Sequence, residues 1–268
     1  MPKRDDAWPQ GTPCWVDCQV DDTTAARNYY TALFGWDVQD NAADAGGYLM
    51  ALLDGSPAAG IGAKSEGMDM PSAWTTYFAA ESADAVAALV TSAGGQIVVP
   101  PFDVLDVGRM LVAADPTGAV FGVWEAKAHN GAGIYNENGA YCWNELHTRD
   151  YATAQKFYEA VFGFTYNEIG DGTNFVYSTF ALPTGGDGVG GINDETKMSD
   201  EPHPAYWLTW FQVGDVDGTL ATAGELGSTV LGPIDDGPFG RMAVVRSPQG
   251  EVFGLIDPSR AVGDVPGQ

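Results

Sequence analysis

Apolar and polar side chains alternate from Cys14 to Val20, which is the period of a half-buried strand. Asp22 can cap a helix whose apolar stripe is Ala25, Ala26, Tyr29, Tyr30, Leu33 and Phe34, and Gly35 can stop it in a left-handed turn. Two short apolar runs follow, 47–53 and 58–64, separated by the turn signal Asp54-Gly55-Ser56-Pro57. The pattern then restarts. Residues 74–80 read as a strand. Residues 82–93 read as a helix with Ala83, Val86, Leu89, Val90 and Ala93 on its apolar side, halted by Gly94-Gly95. A strand at 97–99 precedes a hairpin of 109–114 and 119–125, turned by Asp115-Pro116-Thr117-Gly118. These elements predict a βαβββ module used twice.

The same pattern returns in the second half. Cys14-Trp15 and Cys142-Trp143 are offset by 128 residues, as are Asp22 and Asp150, Tyr30 and Tyr158, and Phe34-Gly35 and Phe162-Gly163. Later blocks repeat in the same order: Trp74 with Trp207, Gly108-Arg109-Met110 with Gly240-Arg241-Met242, and Pro116-Thr117-Gly118 with Pro248-Gln249-Gly250. Ordered matches of this length indicate duplication. The expected division is a first domain at 10–126, a Gly/Asn-rich linker at 127–139, and a second domain at 140–260.

The start Val20-Asp21-Asp22, Tyr29-Tyr30, Leu33-Phe34-Gly35-Trp36 and the hairpin Asp115-Pro116-Thr117-Gly118 resemble the glyoxalase/bleomycin-resistance/dioxygenase (vicinal oxygen chelate) superfamily, in its two-domain bacterial form. The resemblance covers nearly the whole chain. It implies an α+β fold, in which tandem paired βαβββ modules form two open, U-shaped β-barrels. Metal-using members of the family carry His, Gln or Glu ligands on barrel strands. The matching positions here are Trp15 and Trp143, the neighbourhoods of Thr75 and Leu208, Gly122 and Gly254, and the stretches 59–61 and 190–192. None offers a carboxylate, imidazole or thiolate, so no metal and no cofactor is expected.

Composition narrows the picture further. The formal charge of −24, from 36 acidic against 12 basic residues, opposes nucleic acid and anionic membranes as partners. Three cysteines make no disulfide framework, and Cys14 and Cys18, on one strand, stand about 13 Å apart. No apolar run is long enough for a membrane span or a signal core, so a cytoplasmic setting is the default expectation. A homodimer is left open.

The candidate chemistry lies on the first strand of each half. If Trp15 faces the cavity, so do Asp17 and Gln19, and by the same alternation Trp143, Glu145 and His147. Glu145 beside His147 is a candidate acid/base pair, with hydrogen bonding at a strand end as the plainer reading. Arg109 and Arg241, at equivalent places, could clamp an anion, pair with Asp17 or Glu145, or form strand-end ion pairs. Trp74, Trp207 and Trp210 read as core, Lys156 as a solvated helix residue, and His129 and His203 as loop residues without a role. The glycine-rich stretch 185–191 lacks the following Gly-Lys-Ser/Thr and helix of a phosphate loop.

Three functions stay open. The first is a metal-independent protein binding a small aromatic or apolar metabolite, for sequestration, resistance or secondary metabolism, with Trp15, Asp17, Gln19, Arg109 and Trp143 as ligand-binding residues. The second is a metal-free enzyme of isomerase, cyclase or lyase type, with Glu145, His147 and Arg241 as catalytic residues. The third is an interaction module. A metal-dependent glyoxalase or dioxygenase ranks below all three. The second domain is expected to carry the function, because only it pairs an acid with a histidine.

Overall fold

The computed structural model describes residues 3–40, 46–64, 70–198 and 203–265. The first half contains β1 (Pro13–Val20), α1 (Thr23–Phe34), β2 (Asp37–Asp40), β3 (Leu49–Leu53), β4 (Ser56–Ala63), β5 (Ala73–Ala79), α2 (Ala83–Ser92), β6 (Gln96–Val104), β7 (Gly108–Ala114) and β8 (Val120–Ala126). The second half repeats them as β9 (Tyr141–Thr148), α3 (Tyr151–Phe162), β10 (Thr165–Gly170), β11 (Val176–Ala181), β12 (Gly190–Asp194), β13 (Tyr206–Gln212), α4 (Val216–Glu225), β14 (Thr229–Gly237), β15 (Gly240–Arg246) and β16 (Val252–Asp257). Each half makes one mixed eight-stranded sheet, ordered β2-β3-β4-β1-β5-β8-β7-β6 and β10-β11-β12-β9-β13-β16-β15-β14. The fold is α+β, with paired βαβββ modules curled into two open cups.

Local chemistry sets the element ends. The Asp22 carboxylate accepts from the Thr24 and Ala25 amides, and Gly35 closes α1 at φ 73°. Asp150 and Gly163 do the same for α3. Two elements escape the sequence pattern. β2 has a single apolar residue, Val38, among its four, so no period is visible, and its pairing with β3 holds it. β6 runs on to Val104 through Pro100-Pro101, with register shifts against β7. The missing proline donors are tolerated because β6 is the edge of its sheet.

The two halves share their cores by exchange. Tyr30, Phe34, Trp36 and Trp74 of the first half pack with Phe211 and Phe253 of the second. Their counterparts Tyr158, Phe162, Phe164 and Trp207 pack with Phe78 and Phe121 of the first. Tyr30 donates to Glu251 at 3.3 Å and accepts from the Trp74 indole at 3.1 Å. Tyr158 donates to Asp115 at 3.0 Å and accepts from Trp207 at 2.9 Å. Removing a ring from such a cluster costs about 3–5 kcal/mol. At the join, Thr76 and Thr209 both donate to the buried Asn144 side chain, at 2.8 and 3.0 Å. All three cysteines are free. Among the described residues, no helix is long and apolar enough to cross a membrane.

Candidate functional site

Paired residues of neighbouring strands share a face, so the register defines the lining of each cup. On the second sheet, Thr179 pairs with Gly191 and Gly191 with Glu145, while Tyr177 pairs with Asn193 and Asn193 with His147. Asn167 pairs with Thr179 and Ile169 with Tyr177, which continues the same concave face to the edge strand. A cavity of about 540 Å³ opens there. Its lining includes Asn167, Ile169 and Thr179 from one end of the sheet and Phe239 from the turn between β14 and β15 at the other. Val265 of the C-terminal tail completes its rim.

The same face of the sheet also carries a chain of buried polar contacts, outside the cavity lining. The Trp143 indole donates to the Tyr177 hydroxyl at 2.7 Å, and Tyr177 donates to Glu145 Oε2 at 2.9 Å. The other Glu145 oxygen lies 2.9 Å from His147 Nε2, and His147 Nδ1 is bonded to Glu195. Glu195 reaches His203 at 3.2 Å, and Tyr206 stacks on the His147 ring at 4.9 Å and 6°. Burial alone would lower the His147 pKa, but hydrogen bonds and charge from Glu145 and Glu195 lift it to about 9. Burial pushes Glu145 and Glu195 up in turn. The hydrogen bond and charge of His147 outweigh it and leave both below the usual carboxylate range. At neutral pH the ring is therefore an imidazolium held between two carboxylates.

The first cup has the same plan with different parts. Trp15, Asp17 and Gln19 share the concave face. The Trp15 indole donates to Tyr48 at 3.0 Å, and Tyr48 and Tyr77 donate to Asp17 Oδ2 at 3.2 and 3.1 Å. Burial pushes the Asp17 carboxyl up to about 6, against the hydrogen bonds from Tyr77 and Tyr48. Here Gln19 stands where His147 stands in the second half.

The side chains over the family's ligand positions explain the missing donors. A Cβ on Gly122 would fall within the Tyr77 ring, and one on Gly254 within the Trp210 indole. A Cβ on Gly60 or Gly191 would strike the Tyr48 or Tyr177 hydroxyl. Glycine there makes room for the Tyr77, Trp210, Tyr48 and Tyr177 side chains. The residues present do not fit a divalent cation, and among the described residues no group of three or more His, Cys, Asp or Glu is arranged to hold one.

Of the alternatives open for the two arginines, the structure shows the strand-end ion pairs. Arg109 does not meet Asp17. It forks onto Asp84 in the first turn of α2, at 2.9 and 3.0 Å, and lies 3.4 Å from Asp103. Arg241 does not meet Glu145 and bonds Asp217 of α4 and Asp236 of β14 at 2.8 and 2.5 Å. Each guanidinium ties a helix start to a sheet edge. Trp210 faces the cup over Gly254, since β13 turns Tyr206, Leu208 and Trp210 to one side and Trp207 and Phe211 to the other. His129, read as a loop residue, sits edge-on against Trp15 at 4.6 Å and Trp124 at 5.5 Å. His203, Glu195, Tyr48, Tyr77 and Tyr177 join the two clusters from positions that no spacing rule connects to β1 or β9.

Comparison with known proteins agrees with this architecture. The family model "Glyoxalase/Bleomycin resistance protein/Dioxygenase superfamily" matches residues 14–123 and again 143–255. "Putative glyoxylase CFP32" of Mycobacterium tuberculosis is 42% identical over 97% of this chain and 99% of its own. "Anthracycline biosynthesis protein DnrV" of Streptomyces peucetius is 34% identical, over 92% of this chain and 93% of its own. The Mn(II)-bound glyoxalase of Novosphingobium aromaticivorans superposes with a TM-score of 0.63 at 18% identity, covering 95% of this chain and 85% of that one. With its family model matched twice and its relatives aligned end to end, this chain belongs to the glyoxalase/bleomycin resistance protein/dioxygenase superfamily.

Proposed function

We propose that this protein binds a small, largely aromatic or apolar metabolite in its second cup, without a metal, in a secondary-metabolism or resistance setting. The observation that carries the reading is the open cavity of about 540 Å³ on the concave face of the second sheet. Ile169, Phe239 and Val265 offer apolar surface, and Thr165, Asn167 and Thr179 offer a few hydrogen-bonding edges. That mixture suits a flat ring system with sparse polar substituents. The rings over Gly122 and Gly254 support metal independence. The relatives named for anthracycline biosynthesis support the metabolic setting.

A second reading, proton transfer by Glu145 and His147, is favoured by their place in a continuous hydrogen-bonded chain on the cup's face. In that reading His147, with its pKa lifted to about 9, acts as the acid. One experiment separates the readings. Chelator-treated protein is titrated with hydroxylated naphthalenes and anthraquinones, following tryptophan fluorescence, and the compounds are then recovered and analysed. Binding is expected to saturate at one per chain, ignore the chelator, weaken at least about tenfold in Asn167→Trp, and return the compound unchanged. Turnover lost in His147→Gln would establish the enzyme instead. Binding that disappears on chelation and returns with metal would overturn metal independence.

A further inference from the structure

We infer that the first cup is a ring-binding site already occupied by the chain's own His129, and that Trp143 marks the same site left free for the ligand's ring in the second cup. The second clause rests on the binding reading above. The first stands on the geometry of one half alone.

The two indoles are held identically. Trp15 donates its N–H to Tyr48, which leans over Gly60 and bonds Asp17. Trp143 donates to Tyr177, which leans over Gly191 and bonds Glu145. Fixing the N–H fixes the ring plane, so each indole is presented in one orientation before anything arrives. What meets it differs. In the first half the chain leaving β8 crosses the cup. Ala132 donates to the Cys14 carbonyl at 2.8 Å, Ile134 is fully buried, and the Trp124 indole grips the His129 carbonyl at 2.8 Å. This strap sets the imidazole edge-on to Trp15, at 88° between planes. Trp15 is consequently 4% exposed, whereas Trp143 keeps part of its surface open. The equivalent of Trp124 is Ile256, and among the described residues no ring packs against Trp143 as His129 does against Trp15.

The imidazole behaves as a bound neutral ring. Its Nε2 is shielded from water with no hydrogen-bond partner among the described residues, and burial drops its pKa to about 4. Among the described residues, no carboxylate lies close enough to raise it. What the site accepts is therefore an uncharged aromatic or heteroaromatic ring, taken through its edge by an indole. The ligand class for the second cup follows: a neutral ring bearing its charge or polar groups elsewhere, away from Trp143.

The test uses 4-methylimidazole, the detached histidine side chain, at about pH 9, where a free imidazole is neutral. Equilibrium dialysis is expected to find one bound per wild-type chain, two in His129→Gly, and one again in His129→Gly/Trp143→Leu. A folded His129→Gly that binds no more than wild type would overturn the occupied-site inference. Binding retained in full by Trp143→Leu would overturn the assignment of Trp143. Failure of the binding reading is distinguishable, because it would appear as no wild-type binding while His129→Gly still gains one. A measurement on unmodified protein guards against misfolding of the variant: the His129 ring should resist protonation by NMR down to about pH 5, and titration near its ordinary value would sink the inference.

Discussion

The two cups began as copies and now differ in what neutralises the acid at their centre. In the first, Asp17 is met by two tyrosine hydroxyls and, among the described residues, no cation, and its carboxyl is pushed up to about 6. In the second, Glu145 is met by a tyrosine and an imidazolium, which is itself shared with Glu195. The first solution lets the acid go neutral, and the second keeps it charged and adds a counter-charge. Around these centres the first cup is covered by a strap and the second holds a cavity. The exchange of Gln19 for His147, together with Glu195 beside it, separates two electrostatic regimes on one scaffold.

The sharpest way to break this contrast is His147→Gln, which makes the second cup resemble the first. It removes the imidazolium that lies between two buried carboxylates, and such a loss costs about 3–5 kcal/mol. Urea denaturation at neutral pH should show a loss of that size. A loss below about 1 kcal/mol would mean that the cluster is not ionised as described. The same pair gives a pH signature in the wild type. The folded-state pKa of His147 is raised from 6.5 to about 9, so its stabilisation is complete below about pH 6.5 and disappears as pH rises through 9. Stability measured from about pH 7 to 10 should fall in wild type and stay flatter in His147→Gln.

A smaller effect of opposite sign belongs to the first cup. The Asp17 pKa is raised from 3.8 to about 6, so burial of its charge works against folding above pH 6 and not below 3.8. Asp17→Asn should therefore stabilise the protein by roughly 1–3 kcal/mol near pH 8, and the gain should shrink as pH falls from 6 to 4. Destabilisation at every pH would show that the tyrosines need a carboxylate acceptor. The smallest effects belong to Arg109→Ala and Arg241→Ala. Their partners, Asp84 and Asp103, and Asp217 and Asp236, lie on the surface, so the change in melting temperature should be slight and should fade with added salt.

Much of this fold was legible because its signals are local and repeated. Asp22 and Gly35, Asp150 and Gly163 bracket their helices by capping chemistry, and period-2 alternation correctly put Trp15, Asp17 and Gln19 on one face. β2 shows no period because it owes its existence to β3, and β6 runs past the expected 97–99 because a sheet edge tolerates Pro100 and Pro101. The site was half legible. Trp143, Glu145 and His147 share one strand, whereas Glu195 reaches His147 from a short helical turn about 50 residues on, and His203 reaches Glu195 from the loop after it. Arg109 and Arg241 drew attention by symmetry, but symmetry marked a structural clamp used twice. His129 meets Trp15 only through the path of the chain after β8, which no local period in the sequence records.

The exchanged aromatic cores have a consequence for how the chain is made. Phe34 packs at 6.0 Å from Phe253, a residue synthesised 219 positions later. At about 5–20 residues per second, the Tyr30–Phe34 face of α1 emerges from the ribosome roughly 10–45 s before its partner exists. Phe78 and Phe121 wait a shorter time, because Phe162 and Phe164 follow soon after them. The N-terminal module is thus the last to be completed although it is the first to be translated, and its apolar helix face is the segment most exposed to chaperones and to wrong partners during synthesis.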